Sequence, residues 1–230
     1  MNKKSDIKKF VELLAQEKFN KENRIFNMYA GEKGINQREN LINYLEEMYD
    51  INPKILWMGE AAGPHGALHT GIPFTDELIL SKRPIIINQK KLFEKKYFYS
   101  EKVHNENSAK NIWSIIREAN QIPLLWNGVP FYPFEKDNYT QLRSPSSKEI
   151  KKFSKFIEHL LEIFKSIEYF AGIGRKGQKA IVEAIKIAFY IRHPSNGGDK
   201  KFKRQAKEYL ESEYKDSLWR LHRVRKTHNK

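Results

Sequence analysis

Apolar residues in "DIKKFVELLAQEKF" and "RENLINYLEEMY" recur at three- and four-residue intervals, so both segments read as amphipathic helices laid against a core. The pattern then changes. "KILWMGE" is almost continuously apolar, begins after Pro53 and leaves through Gly59, as a short buried strand does. "RPIIINQ" reads as a second strand, "IPLLWNG" as the next, and "NIWSIIREA" as a helix between them. The charged and aromatic "KKLFEKKYFYSEKVHNENSAK" reads as an excursion or surface loop, and "VPFYPFEKDNYTQLRSPS", with three prolines, as a second loop. Ser147 is the expected N-cap of "KEIKKFSKFIEHLLEIFKSI", in which Ile150, Phe153, Ile157, Leu160, Leu161, Phe164 and Ile167 trace one stripe. "EYFAGIG" reads as a strand, "RKGQKAIVEAI" as a helix, "KIAFYIRHPS" as a strand, and the chain closes with a basic helix over about 199–228.

Strands separated by helices imply an α/β fold: a three-layer α/β/α sandwich around a short, mainly parallel sheet. One domain over residues 1–230 is expected, with N-terminal helices over about 4–50. Ligands of such sheets bind outside the carboxyl ends of the strands. The exits here are "GEAAGPHG", "NGVPFYP", "GIGRKG" and "HPSNGG".

Charge narrows the class of partner. Lys and Arg number 42 against 28 Asp and Glu, a net +14 that attracts polyanions, nucleic acid first among them. From Asp199 to Lys230 the balance is 11 − 5 = +6. That helix reads either as a tracker of a phosphate backbone or as a solvated helix anchored by Phe202, Tyr209, Leu210, Leu218 and Leu221. Cysteine is absent, which excludes disulfides, thiolate nucleophiles and cysteine-bound metal clusters. No apolar run approaches the roughly 20 residues of a membrane span, and "MNKKSDIKKF" lacks a signal peptide's apolar segment. A soluble, cytoplasmic monomer is expected, with no membrane partner.

Two patterns invite other chemistries. "GIGRKG" is a literal G-x-G-x-x-G between a strand and a helix, but the next strand ends on Arg192 and His193 where a ribose-binding acid belongs. His65 and His69 share a loop with Asp76 and Glu77 nearby, yet their spacing matches no zinc pattern. Neither cofactor nor metal is expected.

"GEAAG…GIPFT", "LLWNGVPFYP" and "RHPSNGG" together, in this order and spacing, resemble the motifs of the uracil-DNA glycosylase superfamily over roughly Ile51 to Gly198. That family is an α/β/α sandwich, which agrees with the fold read from the pattern. Glu60 occupies the acidic position of the "GEAPG" form, whose carboxylate orients water. Phe74 is similar to the aromatic that stacks on the flipped base, Asn127 to the asparagine that reads the pyrimidine edge, and His193 to the histidine facing its O2. The resemblance thus implies Glu60 and His193 as catalytic and Gly63, Phe74 and Asn127 as base-binding. DNA contacts are expected from His65, Ser195, Asn196, Lys200, Lys201 and Arg204.

These residue types suit the chemistry. A base stacked in a duplex is out of reach, so its nucleotide must be flipped into a pocket that stacks on it and hydrogen-bonds it. An asparagine amide carries both donor and acceptor, matching O4 and N3–H of uracil. Departing pyrimidine leaves a cationic sugar and an anionic base; a carboxylate at Glu60 favours the first and a donor at His193 the second. The expected function is a monofunctional DNA glycosylase, acting in repair or in defence against phage on double- or single-stranded DNA with a flipped pyrimidine. The alternative is a catalytically lapsed nucleic-acid-binding protein of the same fold.

Departures from the family pattern bear on substrate. Ala61 stands where several branches carry a catalytic Asp or Asn, and Ala62 replaces a proline. Gly63 stands where strict uracil enzymes place a tyrosine against C5, so room for a 5-substituted pyrimidine is expected there. The intercalating leucine after "HPS" is replaced by "NGGDKKFKR".

Overall fold

The computed structural model describes residues 3–100, 103–136, 138–186 and 188–211. Both N-terminal helices form as their spacing predicts: α1, Lys3–Gln16, and α2, Ile35–Ile51, with the two-residue strand β1, Ile25–Phe26, between them. α1 buries Ile7, Phe10, Val11 and Leu14, one face of a helix. α2 ends at Asn52, whose left-handed backbone (φ 56°) closes the last turn directly before Pro53.

The strand β2, Ile55–Ala61, opens the central sheet and is followed by two short helices, α3, Ala67–Thr70, and α4, Glu77–Ser81. A hairpin comes next, β3, Ile85–Ile87, and β4, Lys90–Leu92, and then α5, Asn107–Glu118. Beyond it run β5, Leu124–Val129; β6, Tyr132–Glu135; β7, Asn138–Leu142; and α6, Ser147–Ile163. The chain continues through β8, Tyr169–Ile173; α7, Gly174–Ile185; β9, Phe189–Ile191; and α8, Asp199–Glu211.

Four of these strands make an all-parallel sheet in the order β5-β2-β8-β9. In register, Trp57 lies beside Leu125 and Met58 beside Trp126, so each pair shares one face. Phe202 of α8 packs on Trp57 (ring centroids 6.4 Å), with α5 tied to α8 through Glu118 and Lys207 (2.6 Å). On the other face Phe10 of α1 packs on Trp126 (5.4 Å), joined by α6 through Phe156 and by α7. Helices thus cover both faces, giving the three-layer α/β/α sandwich. α2 closes the β5 edge, where the Tyr44 hydroxyl accepts the free N–H of Leu125 (2.8 Å).

Three readings of the sequence change. "RPIIINQ" is a strand, but it pairs antiparallel with β4 outside the central sheet. Its Ile85 and Ile87 are buried while Ile86 faces solvent, and Asn88 and Gln89 both have positive φ (47° and 61°), as a two-residue hairpin turn requires. The proline-marked loop after β5 instead folds back as β6 and β7, which join β1 in a three-stranded antiparallel sheet. The cap of α6 is Ser146, one residue earlier than expected, in a reciprocal capping box with Glu149. The basic C-terminal helix is described as far as Glu211; Leu218, Leu221 and the rest of that expected helix lie outside the described residues.

Candidate functional site

The carboxyl ends of β2, β5, β8 and β9 open into one cleft of ≈ 840 Å³. Glu60, Gly63, Phe74, Asn127 and His193 all line it, as do Ser195 and Lys201. His65, Asn196, Lys200 and Arg204 are exposed and stand outside its lining. His65 lies over the ring of His104 (centroids 6.2 Å), and Arg204 pairs with Glu208 along α8 (3.9 Å).

The register of the sheet sets Gly59 directly beside Asn127. A Cβ at Gly59 would collide with Asn127 Oδ1 and with the Phe74 ring, so glycine is what lets amide and ring meet at this point. Asn127 is 3 % exposed, yet its side-chain amide makes no hydrogen bond among the described residues. The amide faces the cleft, available to a ligand. Phe74 is held in the left-handed region (φ 53°), unusual for a bulky residue, with its carbonyl accepting Trp113 Nε1–H (3.0 Å) and its ring lining the cleft.

Glu60, the last but one residue of β2, accepts a hydrogen bond from the Ser144 hydroxyl, which arrives just after the β6–β7 hairpin. His193 follows β9. The Ser195 hydroxyl and backbone N–H both lie on its Nδ1 (2.8 and 3.2 Å), so Nδ1 accepts and the proton sits on Nε2. Burial, then the charge of Arg192, lowers its pKa to about 4, leaving a neutral imidazole with one N–H to donate. Arg192 in turn grips the loop, donating to the carbonyls of His193 (3.0 Å) and Ser195 (3.4 Å).

The space beside Gly63 is already filled. A Cβ at Gly63 would stand 3.0 and 3.1 Å from the two carboxyl oxygens of Glu106, and one at Gly66 would collide with Oε2. Glu106 comes from the segment before α5 and lines the cleft with Glu60 and Asn127. Its backbone N–H donates to Asp76 Oδ2 (2.7 Å), whose Oδ1 caps α4 at Ile79 (2.8 Å). Glu77 holds the same segment, accepting from the N–H groups of Ser100 and His104 (both 3.0 Å) and pairing with His104 Nδ1 (2.6 Å). The Glu106 carboxyl has no hydrogen-bond partner among the described residues. Burial, then the charge of Asp76, pushes its pKa up to about 7.

The uracil DNA glycosylase superfamily profile matches residues 46–220. The chain belongs to that superfamily. Among solved structures it is similar to SMUG2 of Pedobacter heparinus, with a TM-score of 0.54 and 17 % identity over 95 % of this chain and 98 % of that one. At that identity the likeness speaks for the fold alone. No curated protein sequence matches.

Members of the uracil DNA glycosylase superfamily are DNA glycosylases, and the cleft brings together an aromatic ring, an amide, a carboxylate and a neutral imidazole. Several cleft residues escaped the sequence reading. Glu106 stands directly before a helix, where an acidic residue is ordinarily explained by the helix dipole, so nothing in its neighbourhood marked it. Arg175 and Lys176 had a signal, the "GIGRKG" run, but its glycines drew attention to nucleotide binding. In the fold, Gly172 makes room for Gln178 and Gly177 for the carbonyl of Met58, so both serve the packing of α7 on the sheet. Asp76 and Glu77, considered beside the two histidines as metal ligands, are the carboxylates that hold the Glu106 segment in place.

Proposed function

We propose that the protein is a monofunctional DNA glycosylase that flips a uracil or 5-substituted pyrimidine into this cleft and hydrolyses its N-glycosidic bond. The observation that carries the reading is the unpartnered amide of Asn127, buried at the strand exit beside the Phe74 ring. An amide aimed at nothing within the protein suits the N3–H and O4 of a pyrimidine stacked on that ring. His193 Nε2–H then donates to O2 as negative charge gathers on the leaving base. Glu60 orients the attacking water and takes its proton; oxygen bonds to C1′, the C1′–N1 bond breaks, and base and abasic sugar separate. Arg175, Lys176, Lys201 and Arg192 give the cleft the cationic lining that a phosphate backbone favours.

Either DNA repair or defence against DNA with modified bases is served by this reaction. The test is excision from a duplex and a single strand carrying one uracil, followed by alkaline cleavage. Wild type is expected to excise uracil, and Asn127→Ala to lose about 100-fold or more, since it removes two hydrogen bonds to the reacting base. No turnover of any pyrimidine, with DNA binding intact, favours the lapsed binding protein instead. A borohydride-trapped adduct contradicts the monofunctional reading.

A further inference from the structure

His193 reaches the cleft from a loop, residues 193–198, that lies between β9 and α8. A donor that meets charge developing on a leaving base has to be in place before the reaction, and a loop is not rigid by itself. Three contacts close this one. The guanidinium of Arg192 donates to the carbonyls of His193 (3.0 Å) and Ser195 (3.4 Å). The Gly198 N–H donates to the Ser195 carbonyl (3.1 Å), and a Cβ at Gly198 would collide with the His193 carbonyl. From α8, the side-chain Oε1 of Gln205 accepts the Arg192 N–H (2.9 Å). On the glycosylase reading above, we propose that Arg192 and Gln205 are positioning residues: they form a brace that fixes the loop so that His193 presents Nε2–H, and not a bare nitrogen, to the pyrimidine O2.

Gln205 stands outside the cleft lining, so its effect on the base passes through the loop. It lies on the face of α8 that is anchored in the core. Phe202, one turn before it, packs on Trp57 (6.4 Å), and Tyr209, one turn after it, stacks on Phe189 of β9 (5.0 Å). β9 is an edge strand of the central sheet, and Gln205 takes the N–H of the first residue past its end. A helix fixed in the core is thereby tied to the start of the loop. Arg192 carries the tie onward, since its planar fork holds the carbonyls of the loop's first and third residues together. That curl brings the Ser195 hydroxyl and N–H onto His193 Nδ1 (2.8 and 3.2 Å). With Nδ1 accepting, the ring proton stays on Nε2. A loop released from the brace lets Ser195 leave Nδ1. The proton then divides between the two nitrogens, and a ring with a bare Nε2 repels the oxygen it should stabilise.

The experiment measures the single-turnover rate of uracil excision at saturating enzyme, and Kd for the same oligonucleotide with an uncleavable 2′-fluoro analogue, in wild type, Arg192→Lys, Gln205→Met and Gln205→Glu. Arg192→Lys keeps the charge without the planar fork, and Gln205→Met keeps the length without the acceptor. Each should lose about tenfold or more in rate while Kd stays within about threefold, the mark of a misplaced donor rather than a lost DNA contact. Gln205→Glu, which retains an acceptor for the Arg192 N–H, should recover most of the rate. Wild-type rates in both Arg192→Lys and Gln205→Met overturn the proposal. So does a Kd that weakens as much as the rate falls, which assigns Arg192 to a phosphate contact instead. A second arm reads the tautomer of His193 by heteronuclear NMR of the histidine side chains near neutral pH, with His193→Gln for assignment. Wild type should show Nε2–H alone, and Arg192→Lys and Gln205→Met a mixture of both tautomers. If no base is excised the glycosylase reading fails by itself, and this arm still decides on the brace: one unchanged tautomer in both variants overturns it.

Discussion

Glu106 and His193 carry opposite electrostatic settings within one cleft. His193 is kept neutral by burial and Arg192, so between its folded pKa of about 4 and its ordinary 6.5 the unfolded chain binds more protons than the native one. Its contribution to stability is complete above pH 6.5 and is lost as pH falls through 4. Glu106 runs the other way. Its pKa rises from the ordinary 4.5 to about 7, so the native state holds the extra proton across that window. The protonated form is accommodated fully below 4.5, and stability is lost as pH rises through 7. The difference of about 2.5 pH units corresponds to at most about 3 kcal/mol. Glu106→Gln, which never ionises, should therefore match wild type near pH 5 and gain on it by up to about 3 kcal/mol at pH 8, read from urea unfolding at both pH values. Equal stabilities at pH 8 would mean that the carboxyl is not held in a site hostile to its charge.

At the scale of elements, the site depends on a segment that belongs to no sheet or helix. Residues 93–100 and 103–106 lie between the β3–β4 hairpin and α5, and polar groups buried on α2 hold the first part of this stretch. Asn40 takes both the N–H and the carbonyl of Phe98 (both 2.7 Å), and Glu47 accepts from the N–H groups of Phe93 (2.6 Å) and Lys95 (2.9 Å). Phe93 and Tyr97 pin the segment by burying their rings among Tyr44 and Trp113. The sequence showed α2 as amphipathic and this stretch as an excursion, and both statements are true of the fold. What it did not show is that polar α2 residues and excursion backbone satisfy one another, because the partners lie about fifty positions apart and neither has a local pattern. Glu47→Ala should leave two N–H groups unpaired, costing about 3 kcal/mol. The amides of 93–98 should then exchange with deuterium faster than those of β2. Unchanged exchange there would assign the segment's order to its aromatic anchors alone.

The molecule as a whole is a basic body with its cleft at the carboxyl ends of four parallel strands. Net charge +14 attracts DNA regardless of sequence, and on the proposed function the cationic side chains beside the cleft are expected to count most. Affinity for a uracil-free duplex should fall steeply with salt. Replacing Arg175 and Lys201 by Gln should reduce the log–log slope by about one per residue, measured by fluorescence anisotropy across a salt series. Lys200 and Arg204, which point from the same region but stand outside the cleft lining, are the control pair; an equal loss from both pairs would show that the field, not the cleft, sets binding.

The sequence by itself determined the layers and the exits. Hydrophobic period and glycine or proline punctuation are local properties, so β2, β5, β8 and β9 and their exit loops were readable, whereas Glu60, Phe74, Asn127 and His193 were singled out by the resemblance to the glycosylase motifs. Hairpins were less readable: Asn88–Gln89 makes a tight turn without the usual glycine, and β6 carries Pro133 although it is the central strand of its sheet. Only the tertiary structure decided what occupies the space that Gly63 leaves. A missing side chain is visible in the sequence, but whether its volume stays open depends on what the rest of the chain brings there. Here it is a carboxyl forty-three residues away, carried in by backbone hydrogen bonds to Asp76 and Glu77.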